Sequence, residues 1–205
     1  MRHTPHYLMT DPEDVKRLIR HNPWATFVST TSRGLVASHY PVLLEEDRET
    51  LSIVSHFGRP DEQLHELGSA EIMVIIQGPH DYVSASWYRP GDLVSTWNHV
   101  TAHLYGTPEI LDEEENYQVL VRLTDHFEQH HPGGRSLLED EATTRRIAKG
   151  TVGLRMEVTR FDARAKLSQN RGPEEAGSVM AHLAVTNPDL VAEMRRVHGE
   201  APTAR

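Results

Sequence analysis

The 205-residue chain carries 21 basic and 30 acidic residues, a formal net charge of −9, and is 38% hydrophobic. That size and composition fit one domain with a helical appendage, the acidic balance disfavours a broad nucleic-acid-binding face, and the absence of cysteine excludes disulfides, thiolate catalysis and Cys-based metal sites. No apolar run approaches the roughly 20 residues of a membrane span and the acidic N-terminus does not read as a signal peptide, so a cytoplasmic protein with no membrane partner is expected.

Thr10-Asp11-Pro12-Glu13-Asp14 is a helix start: a capping residue, Pro at the first helical position and acids in the first turn. The helix is predicted to stop near His21, before Asn22-Pro23. Strand-like runs rich in β-branched residues follow at 25–31, 35–44 and 50–55. A short helix at 61–67, a buried strand at 71–77 and a long, bent strand at 94–111 come next. Helix returns at 112–130 with Tyr117, Leu120, Val121, Thr124 and Phe127 on one face, and Pro132-Gly133-Gly134 ends it. Residues 145–149 close a short helix ahead of a cleanly alternating strand at 151–161, and two helices, 173–183 and 187–198, finish the fold. Strands spaced by short turns, without βαβ alternation, point to an α+β class: a closed or half-closed antiparallel barrel with peripheral helices. No dinucleotide fingerprint or phosphate-binding loop of the Walker type is present.

The densest chemistry lies between Gln77 and Gly106, with two of the three Trp among Ser, Thr, Asn and His donors: Ser84-Ala85-Ser86-Trp87-Tyr88 and Ser95-Thr96-Trp97-Asn98-His99. Large flat rings beside short hydrogen-bonding groups suit a planar, polar ligand. Ser55-His56-Phe57-Gly58-Arg59 sets a hydroxyl, an imidazole and a guanidinium before a helix start, a combination able to hold a phosphate; an ordinary Gly turn with an exposed Arg reads the same residues without a ligand. Lys166-Leu167-Ser168-Gln169-Asn170 supplies one cation and several amide and hydroxyl groups, suited to the carbonyls and ring nitrogens of a flavin pyrimidine edge, or else forms a polar turn with a helix cap. The pairs His99/His103 and His126/His130 lack a third ligand, so no metal site is expected. The acidic runs Glu113-Glu114-Glu115 and Glu139-Asp140-Glu141 read as solvated helix faces.

Asn22-Pro23-Trp24-Ala25-Thr26-Phe27-Val28-Ser29, Gly34-Leu35-Val36-Ala37-Ser38-His39-Tyr40-Pro41, Gln77-Gly78-Pro79-His80-Asp81-Tyr82, Ser84-Ala85-Ser86-Trp87-Tyr88, Thr96-Trp97-Asn98 and Lys166-Leu167-Ser168-Gln169-Asn170 together resemble the PaiB family, FMN-binding proteins described as negative transcriptional regulators. The resemblance runs in order over about residues 1–185. It implies an FMN-binding split β-barrel like that of pyridoxamine 5′-phosphate oxidases, over residues 1–168, with a C-terminal helical segment at 169–198 and a disordered tail at 199–205. It also implies a homodimer with FMN at the subunit interface. Ser38 and His39 would line one barrel strand, and Ser55, His56 and Arg59 would lie near the phosphate. Ser86, Trp87, Thr96, Trp97 and Asn98 would flank the ring or ribityl chain, and Lys166, Ser168, Gln169 and Asn170 would approach the flavin edge. The chain departs from the family pattern at Ala85 and Ser95, which replace prolines and loosen their loops, at His99, and in Gly58-Arg59-Pro60-Asp61.

Three functions compete at this level. A regulator is favoured by the resemblance, although the acidic chain shows no recognition helix and direct DNA binding is disfavoured. A flavin-dependent oxidoreductase acting on a small molecule suits the barrel class but lacks an identifiable acid or base. A haem-binding or haem-degrading protein is suggested only by the 14 histidines. Barrel class alone does not choose among them.

Overall fold

The computed structural model describes residues 4–199; the expected disordered tail lies outside the described residues from position 200 onward. The chain divides into two compact units, one formed by Met1–Asp11, Gln77–Ala102 and Asp162–Arg205, the other by Pro12–Ile76 and His103–Phe161.

In the second unit, α1 (Pro12–His21) buries Val15, Leu18 and Ile19, the i, i+3, i+4 stripe of an amphipathic helix. Strand β2 (Trp24–Thr31) turns at Gly34, whose φ is +106°, into β3 (Gly34–Leu44), pairing from Trp24↔Pro41 to Thr31↔Gly34. The last residues of β3 pair with β4 (Ser52–Gly58), and β5 (Ile72–Val83) returns beside β2 from Met73 to Ile76. The order β5-β2-β3-β4 is a Greek key. Beyond β4 lie β8 (Thr151–Glu157) and the short β7 (Glu109–Ile110). Phe27 and Phe57 meet edge to face at 4.9 Å while Tyr40 stacks on Phe57 at 4.2 Å, an aromatic centre for this core.

Helix α2 (Arg59–His65) begins two residues earlier than the sequence suggests, and left-handed Glu66 (φ 49°) ends it. Helix α3 (Glu113–Glu128) opens with a capping box in which Asp112 and Glu115 satisfy each other's backbone N–H. Helix α4 (Glu141–Ala148) starts where Asp140 caps it, accepting from Thr143 N at 3.1 Å, and ends within the predicted closing segment 145–149. One member of the acidic run is thus a cap as well as a solvated charge.

In the first unit the strand order is β1 (Leu8–Met9), β9 (Arg160–Lys166), β6 (Thr96–Gly106), β5. The predicted strand 151–161 is two strands, broken where Val158 N bonds Leu51 O and Thr159 N bonds Tyr105 O. Strand β5 runs past Gln77 through Pro79; pairing with β2 has ended at Ile76, so the missing proline N–H costs no ladder bond to β2. Helices α5 (Pro173–Leu183) and α6 (Pro188–Val197) bury Val179, Leu183, Leu190 and Met194. Among the described residues no helix is long and apolar enough to cross a membrane.

Gly153 marks the closest approach of α3 to β8: a Cβ there would lie 2.9 Å from the Asn116 Cα, a backbone atom that cannot swing aside. Gly153→Ala is therefore expected to cost about 1–3 kcal/mol, read as a lower urea midpoint at unchanged m-value; an unshifted midpoint would show that helix and strand separate freely.

Candidate functional site

In the first unit, β6 and β9 each present alternate residues to one face. Thr96 and Asn98 from β6 and Arg164 and Lys166 from β9, with Ser168 just beyond, line a cavity of about 270 Å3, together with Tyr7, Tyr88, His99, Asn170 and Arg171. Asn98 is fully buried; its amide donates to the Ser168 hydroxyl at 2.9 Å and contacts the Met194 sulfur at 3.6 Å, while its Oδ1 has no partner among the described residues. Ser168 holds a left-handed φ of 65°, uncommon for a residue with a Cβ, and Arg171 N closes the turn on Ser168 O at 2.9 Å.

Lys166 donates to the Thr96 hydroxyl and to Trp97 O at 2.8 Å. Burial pulls its ammonium below the usual lysine value, and the Arg171 charge adds to this. Arg171 pairs with Asp92 and lies 4.0 Å over the Tyr88 ring. Arg164, 2% exposed, pairs with Asp162 and donates to Ala163 O at 3.1 Å, leaving Nε buried without a partner among the described residues. No carboxylate lines the cavity among the described residues.

The other predicted residues of this unit have different surroundings. Gln169 folds back on its own strand, accepting from Leu167 N at 2.6 Å and donating to Ala165 O. Trp87 stacks on His182 at 4.9 Å, and Ser86 bonds the Ser84 hydroxyl at 2.8 Å. Trp97 is 53% exposed and meets Tyr82 edge to face at 6.1 Å.

In the second unit, Ser38 donates to Asp61 at 3.0 Å and contacts His65 Nε2 at 3.0 Å; His65 reaches the buried Ser29 hydroxyl at 2.8 Å on its other nitrogen. Tyr40 also donates to Asp61, at 2.7 Å. His39 bonds Thr26 at 2.9 Å on the exposed side, and Ser55 is buried and donates to Pro41 O at 2.7 Å. His56 Nδ1 is buried without a partner among the described residues. Arg59 Nε donates to Lys149 O at 2.7 Å, tying the start of α2 to the turn after α4. Among the described residues no cluster of three or more His, Cys, Asp or Glu could hold a metal.

Sequence reasoning missed Arg164 in the first unit and Asp61 and His65 in the second. Arg164 was detectable by parity, two residues before Lys166 on one strand. His65 and Asp61 had no comparable signal, because their partners are 27 and 23 residues away.

Comparison with known proteins identifies the family and the fold. Residues 1–160 match the family model described as "Putative FMN-binding domain". The chain belongs to this family of FMN-binding-domain proteins. It is 29% identical over 186 residues, 87% of this chain and 86% of the relative, to the protease synthase and sporulation protein PAI 2 of Bacillus subtilis, which bears out the PaiB resemblance. Among solved structures it is similar to a FAD and heme binding protein from Mycobacterium smegmatis, with TM-score 0.62 at 19% identity, covering 84% of this chain and 79% of that one. It is also similar to the flavocytochrome Anf3 from Azotobacter vinelandii, with TM-score 0.64 at 13% identity, covering 86% and 78%. These likenesses concern the fold, and the expected α+β antiparallel split-barrel class with C-terminal helices is the one found.

Burial holds His56, His65 and His99 below the ordinary imidazole pKa; Asp61 opposes the shift at His65, and Lys166 and His80 reinforce it at His99. In the unfolded chain these groups titrate near about 6.5, so below that pH the unfolded state binds more protons. Stability is expected to be fully present above about pH 6.5 and to fall as pH drops through the lower folded-state values. Urea midpoints at stepwise pH test this, and a His56→Gln/His99→Gln variant should show a flatter decline; equal slopes would remove these histidines as its cause.

Proposed function

We propose that this chain binds FMN as a homodimer with the flavin at the subunit interface, and that it acts as a negative transcriptional regulator. The observation supporting the cofactor is the donor and acceptor set of the first-unit cavity. A flavin pyrimidine edge alternates carbonyl acceptors with an N–H donor. Asn98 Oδ1 is a buried acceptor without a partner, and Lys166, Arg164 Nε and the Thr96 and Ser168 hydroxyls supply donors. The residues present therefore fit the group. Asn98, Lys166 and Ser168 would hold its polar edge, with Thr96 and Asn170 beside it; bound FMN would supply electron-transfer chemistry.

Size supports the dimer. At about 270 Å3 the cavity falls just below the roughly 300–1,000 Å3 of small-molecule sites, room for one edge of the cofactor. The exposed Trp97, Tyr82, Leu93 and Val94 give the first unit an apolar, aromatic surface of the kind that interface cores use. For regulation, the net charge of −9 supports action through a partner protein over broad contact with DNA.

Purified protein supplied with FMN is expected to turn yellow and retain the flavin through gel filtration as a dimer; protein that ignores FMN would sink the cofactor reading. Asn98→Ala is expected to weaken FMN binding about tenfold, the effect of losing about 1.4 kcal/mol. Arg59→Ala tests the second unit on its own, and unchanged FMN affinity would remove Arg59 from cofactor contact. Salt-sensitive retention of promoter DNA by the pure protein would overturn partner-mediated control, and steady oxidation of a reduced nicotinamide would make the protein an oxidoreductase.

A further inference from the structure

We infer that the first-unit cavity discriminates between the two redox states of its flavin, holding the reduced, negatively charged ring more tightly than the oxidised, neutral one, with Arg164 and Lys166 as the discriminating residues. This rests on the FMN reading above and goes beyond it by assigning the charge state that the site prefers.

Three observations carry the inference. The cavity lining contains Arg164, Lys166, Arg171 and His99 and no carboxylate. The surrounding acids are already engaged: Asp162 pairs with Arg164, Asp92 pairs with Arg171, and Glu175 lies 4.0 Å from Arg171. Among the described residues the Lys166 ammonium bonds a hydroxyl and a carbonyl and lies 6.0 Å from the Tyr7 ring centroid, and no carboxylate pairs with it. Arg164 adds a geometric element, since it is 2% exposed and its Nε–H is buried with nothing to bond. Arg164 and Lys166 are two residues apart on β9 and so share one face of the strand.

Reduction by a chemical reductant such as dithionite delivers two electrons to FMN; uptake of one proton leaves the ring with one more negative charge than before. A neutral ring gains only hydrogen bonds from this lining, whereas the reduced ring also gains attraction to fixed cations in a partly dehydrated site. Tighter binding of the reduced form raises the reduction potential of bound FMN above that of free FMN. For a two-electron couple, each tenfold preference is about 30 mV.

The experiment has two steps. FMN uptake by wild type, Lys166→Gln, Arg164→Gln and Arg164→Lys is first established from the flavin spectrum and a binding titration, with circular dichroism reporting folding. The potential of each bound flavin is then measured anaerobically against reference dyes. Wild type is expected at least about 30 mV above free FMN, a tenfold preference for the reduced form. Lys166→Gln should lose most of that shift and Arg164→Lys should retain it. Should Arg164→Gln misfold, Lys166→Gln, at a half-exposed position, still decides the matter. A bound potential at or below that of free FMN, or one unmoved by Lys166→Gln, overturns the inference while leaving the cofactor reading intact. Protein that takes up no FMN in the first step removes both.

Discussion

A fully buried primary amide has to be hydrogen-bonded on both ends or leave a polar atom stranded, and Asn98 is such an amide. Its NH2 end is matched by the Ser168 hydroxyl at 2.9 Å. That single bond joins the start of β6 to the turn that leaves β9, and the turn accepts a left-handed serine to deliver the hydroxyl. The carbonyl end is unmatched. An apolar residue of similar shape could have packed here without either requirement, so the amide marks a polar position beside the cavity.

The same two strands explain why cations gather in an unlikely place. Strand periodicity puts Arg164 and Lys166 on one side of β9 and Thr96 and Asn98 on one side of β6, and the left-handed turn after β9 brings Ser168 to Asn98. Lys166 reaches across to Thr96 and Trp97 O, which holds the ammonium in place without neutralising it. Gln169 turns back onto Leu167 N and Ala165 O, closing the end of β9. Within one five-residue motif, then, Lys166 and Ser168 face the cavity and Gln169 secures the backbone that presents them.

Much of this was legible in advance, and the limits have physical causes. Helix α1, the hairpin of β2 and β3 and the helix after Asp112 follow from caps, turn glycines and periodicity, which act over a few residues. The motifs Thr96-Trp97-Asn98 and Lys166–Asn170 were readable as polar clusters; their joining through Asn98 and Ser168 was not, since it spans 70 residues. The break between β8 and β9 falls at Val158 and Thr159, where alternation is uninterrupted and only distant carbonyls, Leu51 O and Tyr105 O, draw the backbone away. The relay Ser29–His65–Ser38–Asp61 was invisible for the same reason, and its members read singly as ordinary helix and strand residues. Local chemistry announces itself in a sequence, whereas partnerships across strands do not.

Net charge illustrates the same difference of scale. A chain at −9 would be expected to repel an anion, and composition alone argued in that direction. Screening limits that repulsion, because exposed charges beyond about 8 Å are largely damped at physiological ionic strength. The acids that form solvated pairs on helices, such as Glu114 with Arg145 and Glu139 with Arg135, do not enter the cavity lining. Inside the cavity the local balance decides: Asp162 pairs with Arg164, Asp92 and Glu175 lie at Arg171, no carboxylate among the described residues pairs with Lys166, and partial burial weakens the solvent's ability to compensate. An acidic protein can in this way carry an electropositive site of a few residues, selective for the charge of what enters it and silent in the total.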